Sequence, residues 1–422
     1  MALLSILLLM LLGVPVAFAL AGGGLLYMLD NGIPLIAYPQ RMFLGSDSFP
    51  LLALPFFVLA GNLMNAGGIT RRLVNLAQTM VGHITGGLAH VDIATNMLLA
   101  GLSGSAVADT AATGAILIPE MKGRGYSGEF AAAVTASAGT IGPIIPPSIP
   151  FVILGSIAGI SVGRLFLGGV IPGILMGLYM MVVAYIIAKR RNYPRETAFS
   201  VHRFLAALRE SVLALISPLI IIGGILTGYF TPTESGAIAC VYAFVVCMWW
   251  YRELRLADIP KLIQQTVKTS CSIMIIIAAS ALVGWVISRE QIPQLLVRYT
   301  LGLSSDRFTI LTLLIIVLLV LGCFLEGTSI MILITPVLLP IMTRLGVDLT
   351  HFGVILVLCL MIGQNTPPVG VGMYVACAIG KVSMMGFFRE VWPFLLAVLI
   401  LVFMILFFPP LVLFVPNLLM GH

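Results

Sequence analysis

Apolar residues run along this chain with few breaks, and the breaks recur at a fixed interval. Uninterrupted apolar stretches at 3–29, 50–66, 165–188, 211–230, 236–251, 269–288 and 391–415 approach the roughly 20 residues that a helix needs to cross a bilayer. They predict membrane spans. Two further stretches, 127–160 and 351–380, are divided by Gly142-Pro143-Ile144-Ile145-Pro146-Pro147-Ser148 and by Gly363-Gln364-Asn365-Thr366-Pro367-Pro368-Val369. Proline removes a backbone donor and crowds the preceding turn, and glycine releases the chain from helical geometry, so each stretch is a broken helix. Corresponding residues stand 221 positions apart (142 and 363, 146 and 367, 147 and 368). This is an internal repeat.

Ahead of each broken helix lies an apolar segment, 86–119 and 307–340, interrupted at Ser103-Gly104-Ser105 and between Gly322 and Ser329. Its arms are too short to span and predict re-entrant helical hairpins, with tips at membrane depth. The same offset pairs Gly101 with Gly322, Pro119 with Pro340, Gly125 with Gly346, Gly159 with Gly380 and Pro172 with Pro393. The chain divides into a first repeat (1–189), a loop and connecting span (190–230) and a second repeat (231–422). Each repeat has an even number of crossings and the connector adds one, so the second copy is expected to be inverted. Residues 70–80, with apolar side chains at Leu73, Leu76, Ala77 and Met80, read as an amphipathic interfacial arm, and 291–301 as its echo.

Composition agrees with many spans: 422 residues, 60% hydrophobic, 9% charged, mean hydropathy +1.13. The fold class is an all-α polytopic membrane protein. Ala17-Phe18-Ala19 resembles a signal-peptide cleavage site, but no basic region precedes it, and 3–29 is expected to stay as the first helix. The net charge of +6 is spread over loops and reads as topology, not nucleic-acid binding. Lys189, Arg190, Arg191, Arg195, Arg203 and Arg209 place their loop in the cytoplasm, and counting crossings from there puts Lys122 inside as well. The six cysteines lie in apolar segments without a CxxC pair, and the five histidines show no metal spacing. No GxSxG, HExxH or phosphate loop is present, so enzyme chemistry has no foothold.

The breaks carry the chemistry. A helix that ends at membrane depth presents free carbonyls to a cation, and one that begins there presents free amides to an anion. Around the breaks stand Ser103, Ser105 and Thr140, then Thr328, Ser329 and Thr366, with no carboxylate cluster. Such hard, nearly uncharged donors suit sodium better than a divalent ion. Ser105 reads as an N-cap and Pro147 as the first residue of its helix. Glu234 closes a capping box with Thr231. Asp109, one turn inside a leaving arm, and Glu326, at the second tip, have no role that the sequence settles.

Gly101-Leu102-Ser103-Gly104-Ser105-Ala106-Val107-Ala108-Asp109-Thr110, residues 139–150, Gly228-Tyr229-Phe230-Thr231-Pro232-Thr233-Glu234 and residues 363–370 resemble the large membrane subunit of tripartite ATP-independent periplasmic (TRAP) transporters. The resemblance covers essentially the whole chain. It implies sodium-driven uptake of an organic carboxylate, of sialic-acid or C4-dicarboxylate type, across the bacterial inner membrane by an elevator movement. It also implies a periplasmic substrate-binding protein and a small membrane subunit, here expected to be a separate chain. Carried onto this sequence, one sodium site would involve Ser103, Ser105, Gly139, Gly142 and Ile145. The other would involve Gly322, Gly327, Gly363 and Thr366. Substrate would lie near Ser105, Ser148, Asn365 and Thr366. A divalent-anion/sodium symporter that needs no binding protein is similar in architecture and is the alternative.

Overall fold

The computed structural model describes residues 2–196, 198–292, 295, 306–367 and 370–421. Among them the regular structure is helical, without a strand, because a bilayer offers no water to satisfy open backbone groups. Seven of these helices are long and apolar enough to cross a membrane.

The first hairpin is Gly87–Ser103 and Ala106–Gly123, turning through Gly104 in the left-handed region (φ 60°). The second is Arg307–Phe324 and Gly327–Arg344. The first broken helix is Gly128–Gly139 and Ile149–Ala158, and the second is Leu349–Gly363 and Val371–Gly380. Helix ends follow the sequence offset: Ala106–Gly123 moved by 221 positions lands on Gly327–Arg344, and Gly128 lands on Leu349. The hairpin arms run to 17 and 18 residues in the first and 18 in each arm of the second. Gly327–Arg344 is one of the seven helices long and apolar enough to cross, so, contrary to expectation, these arms are not too short to span. Pro119 and Pro340 sit inside their helices and do not end them, since packed neighbours in a membrane protein re-satisfy the backbone that proline frees.

Further expectations need correction. The apolar run 3–29 is not one span: Gly13 (φ 81°) and Pro15 divide it into Ala2–Leu11 and Val16–Asp30. Leu9 folds back within van der Waals reach of Gly22. The run 391–415 is likewise divided, into Met384–Phe407 and Pro410–Met420, at a proline pair that cannot continue the helix. Pro147 does not open its helix. It lies within the break, after a cis Pro146–Pro147 bond, and Ser148 is the N-cap of Ile149–Ala158. The helix Ala37–Ser46 was not legible, and it buries none of its residues. The arm Ile69–Val81 is where the periodicity placed it; most of its expected echo at 291–301 lies outside the described residues. The Thr231–Glu234 capping box is present. Cys271 is exposed although it lies in an apolar segment.

The helices gather into two bodies. In one, Ile259–Arg289 lies along Val16–Asp30, Ala37–Ser46 and Ala53–Ala66, with Pro232–Val245 on the other side of Ala53–Ala66. The other contains both hairpins, both broken helices, Val162–Arg190 and Met384–Phe407. Phe130, Phe151, Phe166, Phe352, Phe387 and Phe394 are fully buried there. Lipid is as apolar as these rings, so they hold the body together by close contact more than by escape from water. The loop after Val162–Arg190 straps this body from outside. The Pro194 carbonyl accepts the N–H groups of Gly86 and Gly87 at 3.2 and 3.3 Å, at the start of the first hairpin. Arg191 pairs with Glu390 at 2.9 Å.

Candidate functional site

At the first break, sequence and backbone geometry bring the tip of the hairpin against the broken helix. Ser105 caps Ala106–Gly123 by accepting from the Ala108 N–H at 3.5 Å, and its own N–H reaches Ser103 Oγ at 3.3 Å. The Ser103 hydroxyl donates to Asp109 Oδ1. The second oxygen, Asp109 Oδ2, is buried without a hydrogen-bond partner among the described residues, and it occupies the space that a Cβ on Gly142 would fill. Thr110 Oγ1, also without a partner, stands in the same way against Gly139. Ser103, Ser105, Gly139 and Gly142 therefore converge through Asp109 and Thr110. Ile145 lies three residues beyond Gly142, its side chain against Gly173.

At the second break the backbones themselves touch. A Cβ on Gly363 would lie 2.5 Å from the Gly322 carbonyl oxygen and 2.7 Å from its carbon, and one on Gly327 would lie 3.3 Å from Leu360 Cβ. The Thr366 hydroxyl donates to the Ile362 carbonyl at 2.8 Å, and its N–H to that of Gly363 at 3.0 Å. Gly322, Gly327, Gly363 and Thr366 all gather on the last turn of Leu349–Gly363.

Both hairpin tips open into one cavity of about 670 Å³ between the two bodies. From the tips it is lined by Ser103, Gly104 and Ser105, and by Glu326, Thr328 and Ser329. The facing wall carries Asn62, Asn65, Thr269 and Ser272. No Lys, Arg or His is among the described residues that line it. Of the four residues proposed for substrate, Ser105 lines this cavity and the other three are engaged within the breaks. Ser148 is fully buried, bonding the Pro143 carbonyl and capping the Phe151 N–H at 3.2 Å. Asn365 is buried and donates to the Ala136 carbonyl at 3.0 Å, tying the second broken helix to the first.

Sequence reasoning left the role of Asp109 open and missed Gln364, which lines the cavity. The signal for Asp109 was its spacing. An acid four residues after an N-cap faces back across the turn, where Ser103 stands.

Paired broken helices around a cavity inside an apolar helical bundle define a polytopic membrane transporter. Solved structures share this fold. The YdaH transporter of Alcanivorax borkumensis superposes with a TM-score of 0.62 at 13% identity, covering 88% of this chain and 87% of that one. MtrF of Neisseria gonorrhoeae gives 0.57 at 12%, covering 87% and 83%. The chain belongs to the DctM component family of tripartite ATP-independent periplasmic transporters, whose family model matches residues 3–411. It is 40% identical over 411 residues to the sialic acid TRAP transporter large permease protein SiaM of Vibrio cholerae, covering 97% of this chain and 96% of that one. The C4-dicarboxylate TRAP transporter large permease protein DctM of Pseudomonas aeruginosa is 39% identical over 377 residues, covering 89% and 88%. The 2,3-diketo-L-gulonate TRAP transporter large permease protein YiaN of Escherichia coli is 37% identical over 404 residues, covering 95% of each. These relatives are permeases, not enzymes.

Proposed function

We propose that this chain takes up an organic carboxylate of the sialic-acid or C4-dicarboxylate type across the bacterial inner membrane, driven by sodium. A periplasmic binding protein delivers the substrate, and a small membrane subunit stands beside the chain. The observation that carries this reading is the cavity between the hairpin tips. The Ala106–Gly123 helix begins there, with Ala106 and Val107 among the lining residues and a neutral N-cap, and a helix start of this kind suits an anion. Sodium fits the same region. The unpartnered Asp109 oxygen, the Ser103 hydroxyl and the backbone around Gly139 and Gly142 are hard oxygen donors bearing one formal charge. The Gly322–Gly363 contact and Thr366 would hold a second ion.

The cavity lies on the seam between the two bodies, which supports an elevator movement of the hairpin body along the other. At that seam Gly61 of Ala53–Ala66 lets the first tip approach, with Ser103 Cα 3.4 Å from where a Cβ would stand. Inverted repeats give such a movement two equivalent ends. Lys122 and Arg344, at the outer ends of equivalent hairpin arms and both exposed, then face opposite sides. A single cysteine at Lys122 should label from the cytoplasm and one at Arg344 from the periplasm; labelling of both from one side makes the repeats parallel.

The transport reading is tested by reconstitution in liposomes under an inward sodium gradient, with the small subunit and binding protein added separately and together. Uptake of labelled carboxylate is expected only with the full set. If the purified chain alone matched the full set, the symporter that needs no binding protein would replace the tripartite reading.

A further inference from the structure

The offset that relates the two repeats pairs Ser105 with Glu326, and the structure gives both residues the same job with opposite electrostatic consequences. Ser105 is the N-cap of the leaving arm of the first hairpin, and Glu326 is the N-cap of the leaving arm of the second. Both line the same cavity. The Ser105 cap is neutral, and the acid in the first turn of its helix, Asp109, is turned back to Ser103 and is not among the lining residues, so the helix start faces a substrate carboxylate without a like charge in the cavity wall beside it. At the second tip Glu326 has filled that place with a carboxylate of its own. Its Oε2 accepts from the Ser329 N–H at 3.0 Å and from the Ser329 hydroxyl at 3.3 Å, while Oε1 accepts from the Thr328 hydroxyl at 2.8 Å. One amide that would welcome an anion there, that of Ser329, is answered from within the protein, and the carboxylate's charge offsets the partial positive charge of the helix start.

We infer that Glu326 is a specificity-determining residue, which restricts the substrate to a monocarboxylate whose far end carries hydroxyl or N–H donors, and turns away dicarboxylates. This rests on the carboxylate-uptake reading above and narrows it. Glu326 Oε1 accepts one bond within the tip and keeps acceptor capacity beyond it, so it can receive a donor from the substrate. A second substrate carboxylate in the same place would meet a like charge, with no Lys, Arg or His among the described lining residues to offset it. Thr328 and Gln364 supply further polar contacts on that side, and the Gln364 Oε1 is a buried acceptor without a partner among the described residues. One tip recognises the acid group and the other recognises what the acid group is attached to.

Gluconate and glucarate make the test direct, because they differ only in a second carboxylate at the far end of the same hydroxylated chain. The membrane subunits, purified together in sodium and placed in nanodiscs, are titrated with each compound and with N-acetylneuraminate, following thermal stabilisation without binding protein. Wild type is expected to discriminate against glucarate by roughly tenfold or more, the effect of setting like charges together in a desolvated pocket. Glu326→Ser, which keeps a good N-cap and copies residue 105, should bring the two within about threefold, chiefly by gaining glucarate. Glu326→Asp, which keeps both cap and charge, should retain discrimination. Equal binding of the two by wild type, or unchanged discrimination in Glu326→Ser, would overturn the inference. If wild type bound none of the three, the carboxylate reading itself would fall and take this inference with it, whereas binding without discrimination removes only the role of Glu326.

Discussion

Gly363→Val should abolish uptake, lowering the initial rate by about a hundredfold or more, the scale of loss that follows when a reacting or binding group is displaced by an ångström. The side chain would begin 2.5 Å from the Gly322 carbonyl oxygen and 2.7 Å from both the carbon and the Cα of the same residue. All three are backbone atoms, and no rotamer change relieves the contact. The hairpin and the broken helix must separate, and they separate at the carbonyl proposed to face the second sodium ion. Gly142→Val should do less. The atom it meets is the end of the Asp109 side chain, which can turn away, so uptake survives with a raised sodium requirement. As a control, Gly223 on Val201–Leu226 has nothing within 4 Å of its would-be Cβ, and Gly223→Val should leave uptake within about twofold, as at surface positions generally. Expression and melting temperature of the purified variants separate misfolding from failed transport. Wild-type uptake by Gly363→Val would mean that the contact of these two backbones is incidental to transport.

Much of this architecture is legible because membrane physics leaves few choices. Helices must be apolar and about 20 residues long, and their interruptions are visible as glycine and proline. The offset between residues 142 and 363 located both broken helices, and with them both hairpins. What failed was the assumption that apolar length means continuity. Gly13 with Pro15, and the pair Pro409-Pro410, each stop a helix inside a run that hydropathy alone joins. Conversely Pro119 and Pro340 look like helix ends in the sequence and are not, because their helices are packed on several sides.

The site divides in a similar way. Backbone donors are announced by glycines, so Gly139, Gly142, Gly322 and Gly363 could be picked from the sequence and do lie at close approaches of hairpin to broken helix. Which polar side chains turn to the cavity is a tertiary matter. Ser105 and Ser148 look alike in sequence, as N-caps after a break, yet Ser105 lines the cavity and Ser148 is enclosed by its own loop. Asn365 is similar: it spends its amide on Ala136, across the two repeats. Asp109 and Glu326 were visible as acids at the tips, but only the hydrogen bonds that each makes distinguish a buried acid behind the first tip from an acid facing the space at the second.

The central claim is that sodium, held where hairpin meets broken helix, drives the uptake. If both proposed junctions hold an ion, one of them with the Asp109 oxygen that has no partner among the described residues, about two ions move per substrate, and the dependence on sodium should be steeper than first order. The most direct measurement is uptake of labelled carboxylate by the full reconstituted set into liposomes that differ only in the external cation, sodium or potassium at equal concentration and equal membrane potential. The account predicts accumulation above the external concentration in sodium, with a Hill coefficient between one and about two, and no more than leak in potassium. Equal uptake in the two salts would contradict it.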